Sequence, residues 1–260
     1  MGTNQRNFML LTRGKNSFMK ILITGHKGFI GNVLFNRLCQ KDHKVTGLDL
    51  INNQDLLTYE FTEDFDLVIH LAGKSGVRES INDPAGYWKN NVEVSKRLFA
   101  RYSKTRILYA SSSSAYESDL NPYAASKYIV EQAADRYPNT LGMRFHTVYS
   151  DLPRKGMFLD KLINNQLEYV TTHHRDFIHI EDLCDAIELL IESQLNGILD
   201  IGTGESVKVQ TLTSGLPIRL NTVHERQYTK ANIEKLTNLG FKPKYNIRKF
   251  LTNKNLGTII

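Results

Sequence analysis

The segment Gly25-His26-Lys27-Gly28-Phe29-Ile30-Gly31 repeats glycine at every third position, and it lies between an apolar run and a helical pattern. The run before it, Lys20-Ile21-Leu22-Ile23-Thr24, is continuous and β-rich, as a parallel strand buried on both faces should be. After it, Ile30, Val33, Leu34 and Leu38 can share one face of a helix predicted from Phe29 to Gln40. A strand that turns tightly into a helix aims backbone N–H groups and the helix N-terminus at one point, and that point suits a pyrophosphate. Gly25, Gly28 and Gly31, with Phe29 and Ile30, are therefore the candidate cofactor-binding turn.

The alternation of strand and helix continues. Strands are predicted at Val45 to Leu50, Leu67 to Leu71, Ile107 to Ser111 and Leu141 to Phe145, with helices at Pro84 to Tyr102 and Tyr123 to Ala134. Such a series argues an α/β fold, a doubly wound parallel sheet of the Rossmann type. Periodicity weakens after Ser150, and helix Glu181 to Glu192 and strand Ile198 to Ile201 are expected to return to the main sheet. The expected organisation is a nucleotide-binding domain over 19–150, rejoined by 177–202, and a small C-terminal substrate-binding domain from 151–176 and 203–260. Residues 1–18 read as a leader, a tag or a disordered extension.

Asp49 ends the second strand, 18 positions beyond Gly31. A carboxylate there accepts hydrogen bonds from the adenosine ribose and repels a 2′-phosphate, and no arginine adjoins it, so NAD is the expected cofactor. Leu71, Ala72 and Gly73 close the third strand with residues that let a cofactor lie close to the backbone. Asp55 and Leu56 are placed beside the adenine.

Tyr123 and Lys127 stand four apart on a predicted helix and hence on one face. An ammonium beside a phenol lowers the phenol's pKa, and the phenolate can then act as a general base. Tyr245 and Lys249 repeat the spacing but follow Pro243 and have no strand or serine run before them. The Tyr123 pair follows the strand Ile107 to Ser111 and the run Ser111 to Ser114, whose hydroxyls can bridge substrate and tyrosine.

Composition narrows the partners. The net charge of +6 serves solubility or the attraction of a polyanion, but the basic residues are scattered and no nucleic-acid motif is visible, so no nucleic-acid partner is expected. No apolar run approaches the roughly 20 residues that span a bilayer, and no membrane partner is expected. Two distant cysteines, Cys39 and Cys184, suit a reducing cytoplasm without disulfides. His173, His174 and His179 crowd one segment, but no paired carboxylate or cysteine spacing supports a metal there.

The glycine triplet, the acidic strand end, the serine run and Tyr-x-x-x-Lys come in the order that resembles the extended short-chain dehydrogenase/reductase family, the NAD-dependent epimerases and dehydratases, over roughly Met19 to Phe250. Tyr116 matches the tyrosine of that family's serine motif, so the resemblance implies a catalytic Ser112 beside Tyr123 and Lys127. Gly76-Val77-Arg78-Glu79-Ser80-Ile81, Leu108 to Tyr116, Arg144-Phe145-His146-Thr147-Val148-Tyr149 and Pro153-Arg154-Lys155-Gly156-Met157 are most similar to the UDP-glucuronate 4-epimerases. By that resemblance the substrate is a UDP-sugar whose C4 is inverted through a transient 4-ketone. Ser113, Ser114, Thr147 and Arg154 would surround a sugar carboxylate, and Arg175 would hold a phosphate, with Arg226 as a second candidate. The family's habit further implies a homodimer through the helices Pro84–Tyr102 and Tyr123–Ala134.

Other readings stay open at this point. Arg154 is otherwise a solvated loop charge, and Thr147 a strand residue capping a loop. The chain as a whole is otherwise a 4-epimerase or 4-ketoreductase of a neutral or deoxy nucleotide sugar, or a non-catalytic dinucleotide-binding protein. It also departs from the family pattern. Ser112 and Tyr123 are only 11 apart, the segment after Asp49 is short, and Glu117 and Ser150 stand where glycines are usual.

Overall fold

In the computed structural model, residues 18–220 and 224–256 are described. The N-terminal extension expected over 1–18 lies outside the described residues, apart from Phe18, which is exposed.

The first half runs β1 (Lys20–Thr24), α1 (Phe29–Cys39), β2 (Lys44–Leu48), β3 (Leu67–His70), α2 (Val77–Asn82), α3 (Pro84–Tyr87), α4 (Val94–Arg101), β4 (Arg106–Ser112), α5 (Pro122–Ala134) and β5 (Thr140–Phe145). The second half runs β6 (Thr147–Tyr149), α6 (Phe158–Ile163), β7 (Val170–Thr171), β8 (His174–Arg175), β9 (Phe177–His179), α7 (Ile180–Glu192), β10 (Gly197–Ile201), β11 (Val207–Lys208), β12 (Ile218–Arg219), α8 (Glu234–Asn238) and α9 (Ile247–Asn253). Six strands form one parallel sheet in the order β2-β1-β3-β4-β5-β10. This is the doubly wound α/β sheet that the strand pattern predicts.

The pleat sorts the core. Ile21 and Ile23 of β1 join Leu34 and Leu38 of α1 and Leu183, Ile187 and Leu190 of α7 on one face. Leu22, between them, joins Leu98 and Phe99 of α4 and Val130 of α5 on the other. Successive side chains of a strand point to opposite faces, so one five-residue strand feeds two cores. A third, smaller cluster gathers Tyr149, Leu159, Phe177, Leu212, Ile247 and Leu251 beyond the sheet.

Three details differ from the sequence expectation. The helix predicted over Pro84 to Tyr102 is interrupted, because Trp88–Glu93 winds as a wider π turn between α3 and α4. Such bulges commonly sit at functional positions, and this one carries Asn91, whose amide group bonds the backbone N–H and C=O of Lys74 and the Ser126 hydroxyl. Strand β9 pairs with β6 in a separate two-stranded ladder, whereas α7 and β10 return to the main sheet. The connection from β2 to β3 contains a single short helical turn at Leu50–Asn52. Its carbonyls are met from α4 instead: Arg97 donates to Leu56 and Tyr59, and Arg101 to Phe61 and Glu63. A connection without its own ladder needs such outside donors.

Candidate active site

The glycine turn is built by close approach. Gly25 has φ +74°, and a Cβ on it would lie 2.6 Å from the Ala72 amide nitrogen at the end of β3. A Cβ on Gly31 would lie 2.0 Å from the Gly25 carbonyl oxygen. Helix α1 can therefore start directly under the strand ends only because both side chains are missing. Gly28 is its N-cap, with no side-chain hydrogen bond to the first turn and no acidic residue within it. The amides that open α1 are left for a ligand, which suits the pyrophosphate of NAD.

A cleft of about 530 Å³ runs from this turn across the C-terminal edge of the sheet. That size is in the range of small-molecule sites. Of the residues singled out from sequence, Gly25, Gly28, Phe29, Ile30, Gly31, Leu71, Gly73, Ser112, Ser113, Ser114, Tyr123, Lys127, Thr147, Arg154 and Arg175 all line it. Asp49 and Ala72 do not. Ala72 is the backbone wall behind Gly25. The Asp49 carboxylate accepts from the Lys27 N–H at 2.9 Å and the Ile51 N–H at 3.0 Å, so it ties the end of β2 to the glycine turn. Each of its oxygens keeps acceptor capacity for a ribose hydroxyl.

Ser112 ends β4, and its hydroxyl accepts from the Ser114 N–H at 3.1 Å. Asn121 caps α5 by accepting from the Ala124 N–H at 2.8 Å, with Pro122 at the first helical position. This cap places Tyr123 in the first turn and Lys127 one turn later, on the face toward β4. The Lys127 ammonium donates to the Ala110 carbonyl at 2.9 Å and lies 6.0 Å from the centre of the Tyr123 ring. Burial pushes the Tyr123 phenol up from its ordinary pKa, while the Ser112 hydroxyl and the Arg154 charge pull it back. Burial also pushes Lys127 down to about 8, against the attraction of Glu131. Burial thus resists the charged forms of both groups, bringing Lys127 toward neutral pH while holding the Tyr123 phenol protonated.

Behind them is a polar relay under the sheet edge. His70 lies 2.7 Å from the Thr24 hydroxyl and 3.0 Å from the Ser95 hydroxyl. The Ser95 hydroxyl donates to the Asn91 carbonyl, so His70 donates through Nε2 and accepts at Nδ1. Burial, then the Lys127 charge, pushes His70 down to about 3, and it is neutral at physiological pH.

The far wall is made of arginines. Arg154 donates to the hydroxyl and the carbonyl of Ser75. Arg175 donates to the carbonyls of Arg226 and His174 and pairs with Glu225 at 3.2 Å. Burial lowers the Arg175 pKa, and Glu225 opposes the fall. Arg226 donates to the Ser113 carbonyl at 2.7 Å and pairs with Glu117 at 2.8 Å. Its guanidinium and that of Arg144 lie over the Tyr116 ring, at 5.0 Å and 4.0 Å from the centroid, and the Tyr116 hydroxyl bonds Asp200. The glutamate at 117, where the family has glycine, thus latches the C-terminal segment onto the serine turn. The three neighbouring histidines have separate settings, His173 on Thr171, His174 against Tyr228 and His179 stacked on Tyr245. Ser75, Asn91 and Glu225 were not readable from sequence, since each acquires its role from a partner far along the chain.

An uncapped glycine turn beside a buried tyrosine–lysine pair and a serine, all at one sheet edge, defines an NAD-dependent enzyme that works on a hydroxyl or carbonyl group. Residues 21–202 match the NAD dependent epimerase/dehydratase family. Protein CapI of Staphylococcus aureus is 31% identical, over 67% of this chain and 70% of that protein. The UDP-glucuronic acid 4-epimerase of Bacillus cereus, solved with UDP-glucuronic acid and NAD, superposes with a TM-score of 0.79 at 26% identity, covering 90% of this chain and 97% of that one. MoeE5, solved with the same two ligands, gives 0.78 at 26% identity, over 90% and 96%. The chain belongs to the NAD-dependent epimerase/dehydratase family, its cofactor is NAD, and it is an enzyme of the nucleotide-sugar epimerase type. Among the described residues no helix is long and apolar enough to cross a membrane.

Proposed function

We propose that the protein inverts C4 of UDP-glucuronate and UDP-galacturonate through a transient 4-keto sugar. The observation that carries this reading is the placement of Arg154 and Thr147 on the same cleft as Ser112, Tyr123 and Lys127. The glycine turn and the first amides of α1 would hold the pyrophosphate of NAD, and Asp49 its adenosine ribose. When bound, NAD supplies a hydride acceptor for C4 that can return the hydride to either face of the ketone.

The chain's own residues do the rest. The Tyr123 oxygen takes the proton of the sugar 4-hydroxyl, which the Ser112 hydroxyl orients. The Lys127 ammonium donates once to Ala110 and has two further N–H groups for the nicotinamide ribose. Arg175 stands at the substrate's diphosphate. Arg154 gives the sugar carboxylate a charge-assisted pair, and the hydroxyls of Thr147, Ser113 and Ser114 complete its surroundings. A 4-keto uronate is a β-keto acid and loses carbon dioxide readily; a carboxylate fixed in place by a guanidinium is restrained from doing so.

The test compares turnover of UDP-glucuronate and UDP-glucose by the native protein and by Arg154→Ala. The reading expects the variant to lose about 10- to 100-fold in kcat/KM for the acidic sugar, the worth of a hydrogen bond to a charged group. The neutral sugar should change little. An equal loss on both sugars contradicts it.

The same reading includes a homodimer through the helices Pro84–Tyr102 (α3, the π turn and α4) and α5. Half-exposed Trp88 in the π turn and Tyr128 on α5 support it, at 44% and 39% accessibility. It also places the protein in the cytoplasm, which suits the free thiols of Cys39 and Cys184.

A further inference from the structure

Arg154 comes from the loop between β6 and α6, and its guanidinium reaches across the cleft to the loop that follows β3. There one residue takes both terminal nitrogens. Nη1 donates to the Ser75 hydroxyl at 2.5 Å, and Nη2 to the Ser75 carbonyl at 3.3 Å. The same carbonyl accepts from the Tyr87 hydroxyl at 3.0 Å. The Tyr87 ring meets Tyr123 edge-on, with centroids 6.1 Å apart. Ser75, Arg154 and Tyr123 all line the cleft.

An arginine on a surface loop has many rotamers, and fixing it costs entropy each time a ligand binds. Two bonds to one residue remove most of that freedom beforehand. They also leave the remaining guanidinium N–H groups for an incoming anion.

We propose that Ser75 is a positioning residue: it fixes the Arg154 guanidinium where a single cation serves both the sugar carboxylate and the Tyr123 oxygen. The carboxylate half rests on the acidic-sugar reading above, and the Tyr123 half does not. The electrostatics agree with the geometry, because the Arg154 charge favours the ionised form of both Tyr123 and Tyr87. The other charged groups around this cluster are Lys127 on α5, Lys74 paired with Asp83, and Glu79 on α2, which raises Tyr87. Of the cations, Lys127 is held by Ala110 and Lys74 by Asp83, while Arg154 is held by Ser75. Deleting the Ser75 hydroxyl leaves Arg154 with only the 3.3 Å bond to the Ser75 carbonyl, and leaves the other two as they are.

The experiment uses the full chain with NAD bound and two variants, Ser75→Ala and Ser75→Thr. Ionisation of Tyr123 is followed without substrate by tyrosinate absorbance, as the difference from the matching Tyr123→Phe protein. KM and kcat are measured in parallel for UDP-glucuronate and UDP-glucose. Ser75→Ala should raise the Tyr123 midpoint by about half a pH unit and raise KM for UDP-glucuronate about fivefold, with kcat at fixed neutral pH falling by no more than about threefold, the change that half a pH unit makes in the ionised fraction of Tyr123. Ser75→Thr keeps the hydroxyl and should restore both. A native protein indifferent to the sugar's carboxylate defeats the acidic-sugar reading and the carboxylate half with it. An unmoved Tyr123 midpoint in Ser75→Ala defeats the proposal itself, whatever the sugar.

Discussion

The two sides of the cleft are built by different means. On the cofactor side the groups come from regular elements and their spacing is local: three glycines in seven positions, Asn121 capping the helix of Tyr123, Lys127 one turn further. On the substrate side the groups come from short ladders and loops, and side-chain bonds between distant segments place them. Arg154 meets Ser75 across 79 positions, Arg175 meets Glu225 across 50, and Arg226 meets the Ser113 carbonyl across 113. Backbone ladders make the first side stiff. The second depends on ion pairs and carbonyl contacts, which leave it easier to retune for another sugar and easier to break.

Substitutions on the two sides should therefore fail differently. The largest effect is expected at Tyr123, where phenylalanine removes the proposed proton acceptor. Turnover should fall about 10³-fold or more, with the NAD dissociation constant within about twofold of native by calorimetry. Near-normal turnover would remove Tyr123 from the mechanism.

Next comes Gly31→Ala, whose Cβ would sit 2.0 Å from the Gly25 carbonyl. Helix and turn must part, so the variant should lose about 3 kcal/mol in denaturant unfolding and most of its NAD affinity. A stable variant that binds NAD normally would mean that the tight turn is not what holds the pyrophosphate.

Arg226→Ala probes the other side. It frees the Ser113 carbonyl and Glu117. The substrate KM should rise about tenfold, while NAD affinity and the unfolding midpoint change little. A variant that lost NAD as well would erase the distinction between the two walls.

The smallest effect is in pH. The folded Lys127 has a pKa of about 8 in place of 10.5, so between those values the unfolded chain binds more protons than the folded one. Stability contributed by this site should rise with pH across that window. Activity should move the opposite way, as the cation beside Tyr123 is lost above about pH 8. Thermal melts and kcat/KM profiles would read the two trends, and Lys127→Met should flatten the first.

The same contrast explains what the sequence could disclose. The sheet, its strand set and the Ser112–Tyr123–Lys127 group are written in spacings of two, three and four residues, which local geometry turns directly into faces and turns. Even the missing loop between Ser112 and Tyr123 was visible as a short interval. Asn91 was not, because its place depends on a π turn inside a segment whose pattern reads as plain helix. Ser75 and Glu225 were invisible for another reason: a serine and a glutamate on loops carry no pattern until the fold brings Arg154 and Arg175 to them. Tyr116 was found through its motif, but its seat between Arg144 and Arg226 was not.

The central claim is best tested by incubating the purified protein with UDP-glucuronate and NAD and following the sugar ring by proton NMR. The account predicts the appearance of UDP-galacturonate, with the C4 proton changing configuration and no pentose formed by loss of carbon dioxide. No change at C4, in protein shown to bind NAD, would contradict it and leave an enzyme of the same family acting on a different nucleotide sugar.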